Sequence, residues 1–277
     1  MSNSSPPTRF PYGLVNNARY QPFGNSGMPD PIFYHNFWDD FDDTIPEAAT
    51  QMGQWIITQS ASSTCAGTAG DGGLALFSPF TGSTDYTYIQ PKVAGFTFTS
   101  GQKMFFGCRF FITAGGSSTI SVPTFWAGIF QHQAAGTPAP TDGIYFVKAA
   151  ASPSLQLVVN QSSTPISVGP LTAALVSGTS YDIGFEIDTK GVIKGYFGTQ
   201  LFGWVPQLAT GSVNAQGVPN LPIVGPYCTG STLGPTSTTT GTVIYPTAAL
   251  APTLAFLSGD THQGTMTSDF IVVQKER

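Results

Sequence analysis

The chain has 277 residues, of which 9% are charged and 41% are hydrophobic, and its net charge is −5. A chain of this length can bury a sizeable core without disulfides or a structural metal. Its ten Lys and Arg residues are too few and too scattered for a phosphate-binding surface. The composition therefore predicts a folded protein that binds no nucleic acid.

The cysteines and the termini exclude further classes of protein. Cys65, Cys108 and Cys228 show no CxxC spacing, and the chain has only three histidines. Local motifs therefore offer no zinc site, and we expect neither a metal nor a cofactor. Free buried thiols are typical of a protein that folds in a reducing compartment. No apolar run is long enough to span a membrane, and the first residues lack the features of a secretory signal.

Residues 1–36 are predicted to form an extended N-terminal arm. They contain six prolines and six aromatic residues. Each proline fixes φ and removes a hydrogen-bond donor, so neither helical nor strand periodicity survives. Disordered segments are poor in aromatic residues, so we expect these rings to dock on a neighbouring subunit, with the arm's own domain as the alternative. The residues expected to make this assembly contact are Arg9, Phe10, Tyr12, Arg19, Tyr20 and Phe23.

An acidic cluster follows the arm, with four carboxylates in the five residues 39–43. Adjacent carboxylates could supply oxygen ligands to a hard cation such as calcium. Neighbouring residues of a strand point to opposite faces, however, so these side chains converge only if the chain turns. A solvated strand edge is therefore favoured over a metal site.

From residue 37 onward the hydrophobic pattern has the two-residue period of β-strands. The segment 103–112 alternates apolar residues with a polar face that carries Arg109, and 181–187 alternates in the same way against Asp182. Other strands are predicted at 55–58, 73–77, 125–131, 143–148, 155–160, 192–197, 253–257 and 266–273. Short strands separated by Gly, Pro, Ser and Thr turns predict an all-β, two-sheet antiparallel sandwich over 37–277. The side chains predicted to point inward are Met104, Phe106, Cys108, Phe110, Ile112, Tyr181, Ile183, Phe185 and Ile187.

Candidate catalytic residues are few. Glu186-Ile187-Asp188 matches the start of the Glu-x-Asp-x-x-Glu pattern of a family of sandwich glycosidases, but the third acidic position is Gly191. Retaining glycosidases need two close carboxylates, so this departure argues against hydrolysis. The four tryptophans could stack on sugars, although core packing is favoured in so Phe-rich a chain. The sequence predicts no catalytic residue.

The segment 195–259 contains no Asp, Glu, Lys or Arg. Between about 205 and 250 it reads as a long Pro/Gly/Ser/Thr-rich excursion, and long connections of this kind tend to be functional. Subunit interfaces lose charge at their cores, so we expect a homo-oligomer, most simply a trimer, with part of this segment at the contact.

The order of several motifs resembles that of a group of tailed-bacteriophage virion proteins with a concanavalin-like (laminin-G-like) jelly roll. The resemblance covers most of the chain except about 205–250. The motifs that carry it are Met28-Pro-Asp-Pro-Ile-Phe-Tyr-His35, Phe37-Trp-Asp-Asp-Phe41, Gly70-Asp-Gly-Gly-Leu-Ala-Leu76, Lys103-Met-Phe-Phe-Gly-Cys-Arg-Phe110, Thr141-Asp-Gly-Ile-Tyr-Phe146, the 181–197 hairpin and Ser268-Asp-Phe-Ile-Val-Val273.

This resemblance implies a non-catalytic capsid decoration or cement protein on the outside of a phage head. Such a protein would assemble in the host cytoplasm, bind the major capsid protein and its own copies, and stabilise the head through its N-terminal arm. The alternative is a carbohydrate-binding or receptor-binding virion protein. A glycan therefore stays open as a ligand.

Overall fold

The structure is a computed structural model that describes most of the chain after the arm. The described residues are 34–41, 46–48, 50–60, 62–68, 73–78, 84–99, 101–114, 123–132, 140–150, 152–168, 175–189, 193–198, 200–205, 245–259 and 264–277. They form 17 β-strands and contain no helix. In this part of the chain, nothing has the helical length and apolar character that a bilayer span requires. The predicted all-β class is confirmed.

The strands form two antiparallel sheets. Sheet 1 has the order β15-β14-β13-β8-β17-β6-β5, and β1 pairs with the second half of β17. Its strands are β1 (Tyr34–Asp39), β5 (Thr64–Thr68), β6 (Leu74–Ser78), β8 (Met104–Thr113), β13 (Ser180–Ile187), β14 (Ile193–Phe197), β15 (Gln200–Val205) and β17 (Thr265–Glu276). Strand β1 begins three residues inside the predicted arm.

Sheet 2 has the order β12-β11-β10-β9-β16-β7-β4-β3-β2. It packs its inner face against sheet 1, which gives the two-layer sandwich that the alternation predicts. Its strands are β2 (Pro46–Ala48), β3 (Gln51–Met52), β4 (Trp55–Gln59), β7 (Tyr86–Pro91), β9 (Thr124–Phe130), β10 (Gly143–Lys148), β11 (Leu155–Gln161), β12 (Thr164–Val168) and β16 (Ala251–Leu257).

The core lies between the inner faces of the two sheets. All nine side chains predicted to point inward belong to it, with Tyr181 at its margin and the other eight buried. Cys108 lies opposite Ile183 in the β8–β13 ladder, and burial raises the pKa of its thiol well above the usual value. The register of these two strands is therefore the predicted one, and Cys108 is an inert core residue.

Arg109 and Asp182 face outward from sheet 1, as the same register requires. The guanidinium Nε lies 2.6 Å from Asp182 Oδ1, and Nη1 lies 3.3 Å from Asp269 Oδ2. A bulge between Ser268 and Phe270 places Asp269 beside Arg109, whose guanidinium also lies 5.7 Å from the centre of the Phe270 ring. This cluster links three strands on the outer face.

We expect Arg109→Met to lower the free energy of unfolding by about 1 kcal/mol, because the cluster is partly screened by water. Chemical denaturation at low salt measures the change, and it should shrink at high salt. Lys92→Met, at an exposed site, is the matched control and should be near neutral. Equal losses in the two variants would contradict a specific role for the cluster.

Candidate functional site

The outer face of sheet 2 carries a cluster of aromatic side chains, called here the aromatic face. Outward-facing residues of its central strands include no charged side chain. The cluster consists of six buried residues, and three partly buried residues pack against it. The buried residues are Tyr88, Trp126, Phe130, Tyr145, Val158 and Ala255, and the partly buried ones are Tyr86, Val147 and Leu257. The alternation of the strands places this second apolar layer opposite the core.

The rings of the aromatic face run across neighbouring strands. Tyr86 and Tyr88 stack along β7 with ring centroids 5.7 Å apart and an interplanar angle of 18°. Phe130 and Tyr145 meet edge to face at 5.6 Å. Trp126 of β9 lies opposite Ala255 of β16, and on its other side Ala255 lies opposite Tyr88 of β7. Tyr86 is half-buried whereas the other four rings are buried, so Tyr86 is the ring most accessible to a ligand.

Neutral amides and hydroxyls border the aromatic face. Gln90 Nε2 donates to Thr253 Oγ1 at 2.8 Å and to the Gln131 carbonyl at 3.1 Å. Asn160 is buried, its Nδ2 donates to the Pro140 carbonyl at 2.7 Å, and its Oδ1 accepts no hydrogen bond from the described chain. These groups offer hydrogen bonds but no charge.

The two buried tyrosines of the face stay neutral near pH 7. Burial raises the pKa of Tyr88 to about 12, against a smaller lowering by the hydrogen bond with Thr58. Burial also raises the pKa of Tyr145. Each phenol therefore keeps its proton and remains a hydrogen-bond donor.

A strained turn lies at the Asn160 end of the face. Ser162 and Ser163 join β11 to β12 with φ values of 49° and 64°, a conformation that usually requires Gly or Asn. The Asp142 carboxylate accepts from the Ser162 N–H at 3.2 Å, and the Thr141 carbonyl accepts from the Ser163 N–H at 2.8 Å. These bonds hold the turn. Backbone strain of this kind is often found at functional sites.

The acidic cluster does not form a metal site among the described residues. Asp39 ends β1, and its carboxylate accepts from the Phe41 N–H at 2.7 Å, from Gln54 Nε2 at 2.9 Å and from Trp55 Nε1 at 2.6 Å. Asp42 and Asp43 lie outside the described residues. No group of three His, Cys, Asp or Glu side chains able to hold a metal occurs in the described ranges. Asp39 instead fixes the turn after β1.

Glu186 has a basic partner on the outer face of sheet 1. It lies opposite Lys194 in the β13–β14 ladder, and its Oε1 lies 2.7 Å from Lys194 Nζ. Its side chain is 10% exposed. The Lys194 ammonium therefore occupies an oxygen of the glutamate that begins the glycosidase pattern. Gly191, where the glycosidase pattern has its third acid, lies outside the described residues.

Other predicted residues fall in different places. The arm residues lie outside the described part of the chain, as do Cys228 and the segment 206–244. Trp55 is buried in the core, as expected, whereas Trp126 belongs to the aromatic face. The predicted arm residues not described are Arg9, Phe10, Tyr12, Arg19, Tyr20 and Phe23.

The fold is similar to that of carbohydrate-related domains of known structure. An endo-1,3-beta-glucanase from Streptomyces sioyaensis aligns with a TM-score of 0.54 at 10% identity, covering 90% of this chain and 99% of that one. The Emp47p carbohydrate recognition domain aligns with a TM-score of 0.51 at 10% identity, covering 89% and 98%. Lectin II from Ulex europaeus aligns with a TM-score of 0.51 at 10% identity, covering 88% and 99%.

No family model matches the sequence, and no curated protein matches it. The structural similarities extend over nearly the whole length of each chain at low identity, so they establish the fold alone. The chain is a concanavalin-like β-sandwich, as the motif order implies.

Proposed function

We propose that this chain is a non-catalytic binding domain that takes a neutral saccharide at the β4–β7 side of the aromatic face. The observation that carries the proposal is the uncharged outer face of sheet 2, where Tyr86 stacks on Tyr88 beside the amide of Gln90. Apolar faces of sugar rings pack against aromatic rings, and their hydroxyls need neutral donors and acceptors. The face offers both.

Ile56, Thr58 and Tyr86 define where the ligand would lie. Ile56 is 38% exposed, which makes it one of the few exposed large hydrophobic residues of the described chain. It lies opposite Gln90, and Thr58 lies opposite Tyr88. A sugar ring placed over Tyr86 would have Thr58 at its border, and Ile56 lies further along β4 beside Gln90, where a second ring of an oligosaccharide would lie. The names of the Emp47p domain and the Ulex lectin support a carbohydrate ligand by analogy of fold.

The proposal of a binding role without catalysis rests on the position of Glu186. Its Oε1 is paired with Lys194 Nζ at 2.7 Å, and it lies on the outer face of the other sheet. Hydrolysis with retention needs a second carboxylate about 5 Å away. We expect no turnover of glycan substrates, and Glu186→Gln should leave saccharide binding unchanged. Hydrolysis that this substitution abolishes would contradict a purely binding role.

Tyr86→Ala tests the saccharide site. On an array of neutral glycans, the intact chain should retain a subset, and the variant should bind that subset about tenfold more weakly, which corresponds to ~1.4 kcal/mol. Val176→Ala, at a position 59% exposed in the segment before β13, is the control and should bind as the intact chain does. Unchanged binding by Tyr86→Ala, with both variants folded, would place the ligand elsewhere.

A second candidate function is decoration of a phage head, as the motif order of the sequence suggests. One structural observation supports it: both ends of the uncharged segment 206–244 lie at one end of the sandwich. Val205 pairs with Ile193 at the end of the β13–β14 hairpin. Burial raises the pKa of Tyr245, and the nearby charge of Asp188 in that hairpin raises it further. The segment would therefore be an insertion able to contact the major capsid protein or a second copy, such as a neighbour in a trimer.

A cryo-EM map of purified particles tests this candidate. It should show copies of the sandwich on the capsid exterior with 206–244 at the contact. A chain in which 206–244 is replaced by a short Gly/Ser linker should fold, because shortening a loop whose ends are close costs little, but it should not decorate particles. Particles without the protein would contradict the candidate.

A further inference from the structure

Basic side chains gather at the end of the sandwich where β1 begins and β17 ends. Lys275 of β17 lies opposite His35 of β1, so their side chains are neighbours on one face of the ladder. Side chains alternate between faces along a strand, which places Arg277 on the side of Lys275 and Glu276 on the other side. In agreement, the charges of Arg277 and Lys275 act on His35, whereas the charge of Glu276 acts on Tyr34. The fold therefore separates these cations from the carboxylate between them in the sequence.

The connection between β7 and β8 positions two of these basic groups through neutral contacts. The imidazole of His35 stacks on Phe96, with ring centroids 4.5 Å apart and an interplanar angle of 11°. Gly95 lets the backbone come close to this imidazole, since an added Cβ would lie 3.2 Å from His35 Cε1. Lys275 Nζ donates to Thr99 Oγ1 at 3.2 Å. The connection thus fixes the imidazole and the ammonium without neutralising the charge.

The basic cluster has no anionic partner in the described part of the chain. None of the carboxylates described, the chain terminus included, forms an ion pair with His35, Lys275 or Arg277. Burial lowers the pKa of Lys275, and burial together with the charges of Arg277 and Lys275 lowers the pKa of His35. Both groups are half-buried, so their charged forms have lost part of their hydration without gaining a counter-charge. An anion bound between them would supply that counter-charge.

We propose that His35, Lys275 and Arg277 bind a tetrahedral oxyanion, a phosphate or a sulfate group, at this end of the sandwich. The planar fork of the Arg277 guanidinium matches two oxygens of such a group, and the Lys275 ammonium adds charge. The imidazole N–H and the Thr99 hydroxyl supply further donors. The chain has too few cations for an extended phosphate-binding surface, but a single anion needs only this local cluster. The site shares no residue with the aromatic face and is independent of the saccharide proposal.

NMR titration of the histidine Cε1–H resonances tests the site. The full chain is titrated at pH 7 and constant ionic strength with phosphate, sulfate or acetate, and the His35→Gln variant assigns the His35 resonance. We expect phosphate and sulfate to shift this resonance with saturation, and the tighter of the two identifies the group bound. His132, whose Nε2 lies 2.8 Å from the Pro91 carbonyl, should not shift. No saturable shift with either ion, or equally tight binding of acetate, would overturn the proposal.

Two charge-removing variants separate a defined site from a general attraction of anions. Lys275→Met should weaken the binding of phosphate and sulfate about fivefold or more, because it removes the ammonium that lies opposite His35. Lys92→Met removes the same charge from an exposed position of the β7–β8 connection and should bind within about twofold of the intact chain. Equal weakening in the two variants, or unchanged binding by folded Lys275→Met, would overturn the proposal.

The pH dependence of sulfate binding gives an independent readout. Protonation of His35 adds a positive charge to the site, so the affinity for sulfate should rise about threefold or more as the pH falls from 8 to 5.5. Bound sulfate should in turn raise the pKa of His35, because binding and protonation favour each other. Lys275 and Arg277 stay charged over this range, and His35→Gln should flatten the profile. An affinity that does not change with pH, or the same profile in His35→Gln, would overturn the proposal.

Discussion

Gly128→Ala is expected to destabilise the sandwich by about 3 kcal/mol or more. Gly128 faces Tyr145 of β10, and an added Cβ would lie 2.5 Å from the Cα and Cβ of Tyr145 and against the Ile144 carbonyl. Backbone atoms cannot move aside without breaking the β9–β10 ladder, so the clash separates two central strands. Thermal and urea unfolding measure the loss.

Gly178→Ala is the matched control for this effect. Gly178 has a φ of +73° and nothing within 4 Å of its added Cβ. The substitution therefore costs only the backbone strain of a left-handed alanine, about 1 kcal/mol. Equal losses at the two positions would mean that β9 and β10 do not approach as closely as described.

The second large effect is a pH dependence caused by Lys148. This residue ends β10 with its side chain fully buried, and its Nζ donates to the carbonyls of Pro123 and Ala149. Burial lowers the pKa of Lys148 from 10.5 to about 8. Each pKa unit corresponds to 1.36 kcal/mol, so a charged Lys148 costs the folded state roughly 3 kcal/mol.

The sign of the dependence follows from the lowered pKa. Below pH 8 both the folded and unfolded chains carry the proton, and the penalty is fully present. Between about pH 8 and 10.5 the folded chain loses the proton first, so the free energy of unfolding contributed by this group rises with pH. Above that range the penalty is gone.

Lys148→Met isolates this contribution from the other groups that titrate in alkali. Burial raises the pKa values of Tyr88 and Tyr145, and these groups lower stability in both proteins as the pH rises. The difference in unfolding free energy between the intact chain and the variant should change by up to about 3 kcal/mol between pH 7.5 and 10.5. If this difference in unfolding free energy did not change across the range, the pKa of Lys148 would not be lowered in the folded chain.

The core strands were predictable because each buries one face. The alternation in β8 and β13 fixes which side chains enter the core, and the structure places all nine there. The sequence does not predict seven of the strands, which are β1, β2, β3, β5, β7, β12 and β15. Strands β7 and β15 show two different physical reasons. In β7, the inward face carries polar Thr87 beside Ile89 and the outward face carries the rings of Tyr86 and Tyr88, so the two-residue period is weak. Strand β15 lies within the uncharged segment 195–259, just before the predicted excursion, and no charged residue there marks an outward face.

The candidate site can be predicted only in part from the sequence. The sequence favours core packing for the tryptophans over sugar stacking, whereas Trp126 lies on the aromatic face. Its partners Tyr88 and Tyr145 come from strands distant in the chain, so only the sheet order brings them together. The signal available in advance was a strand apolar on both faces, such as 125–130, because such a strand needs a cover on each side.

The central claim is that a neutral saccharide binds over Tyr86. Saturation-transfer difference NMR tests it directly, with the protein's aromatic protons irradiated in the presence of a neutral oligosaccharide retained on the array. Ring protons of the sugar should receive saturation from the intact chain, and Tyr86→Ala should abolish the transfer while Val176→Ala preserves it. Equal transfer in the intact chain and the folded Tyr86→Ala variant would contradict the account, as would no transfer from the intact chain to any neutral oligosaccharide.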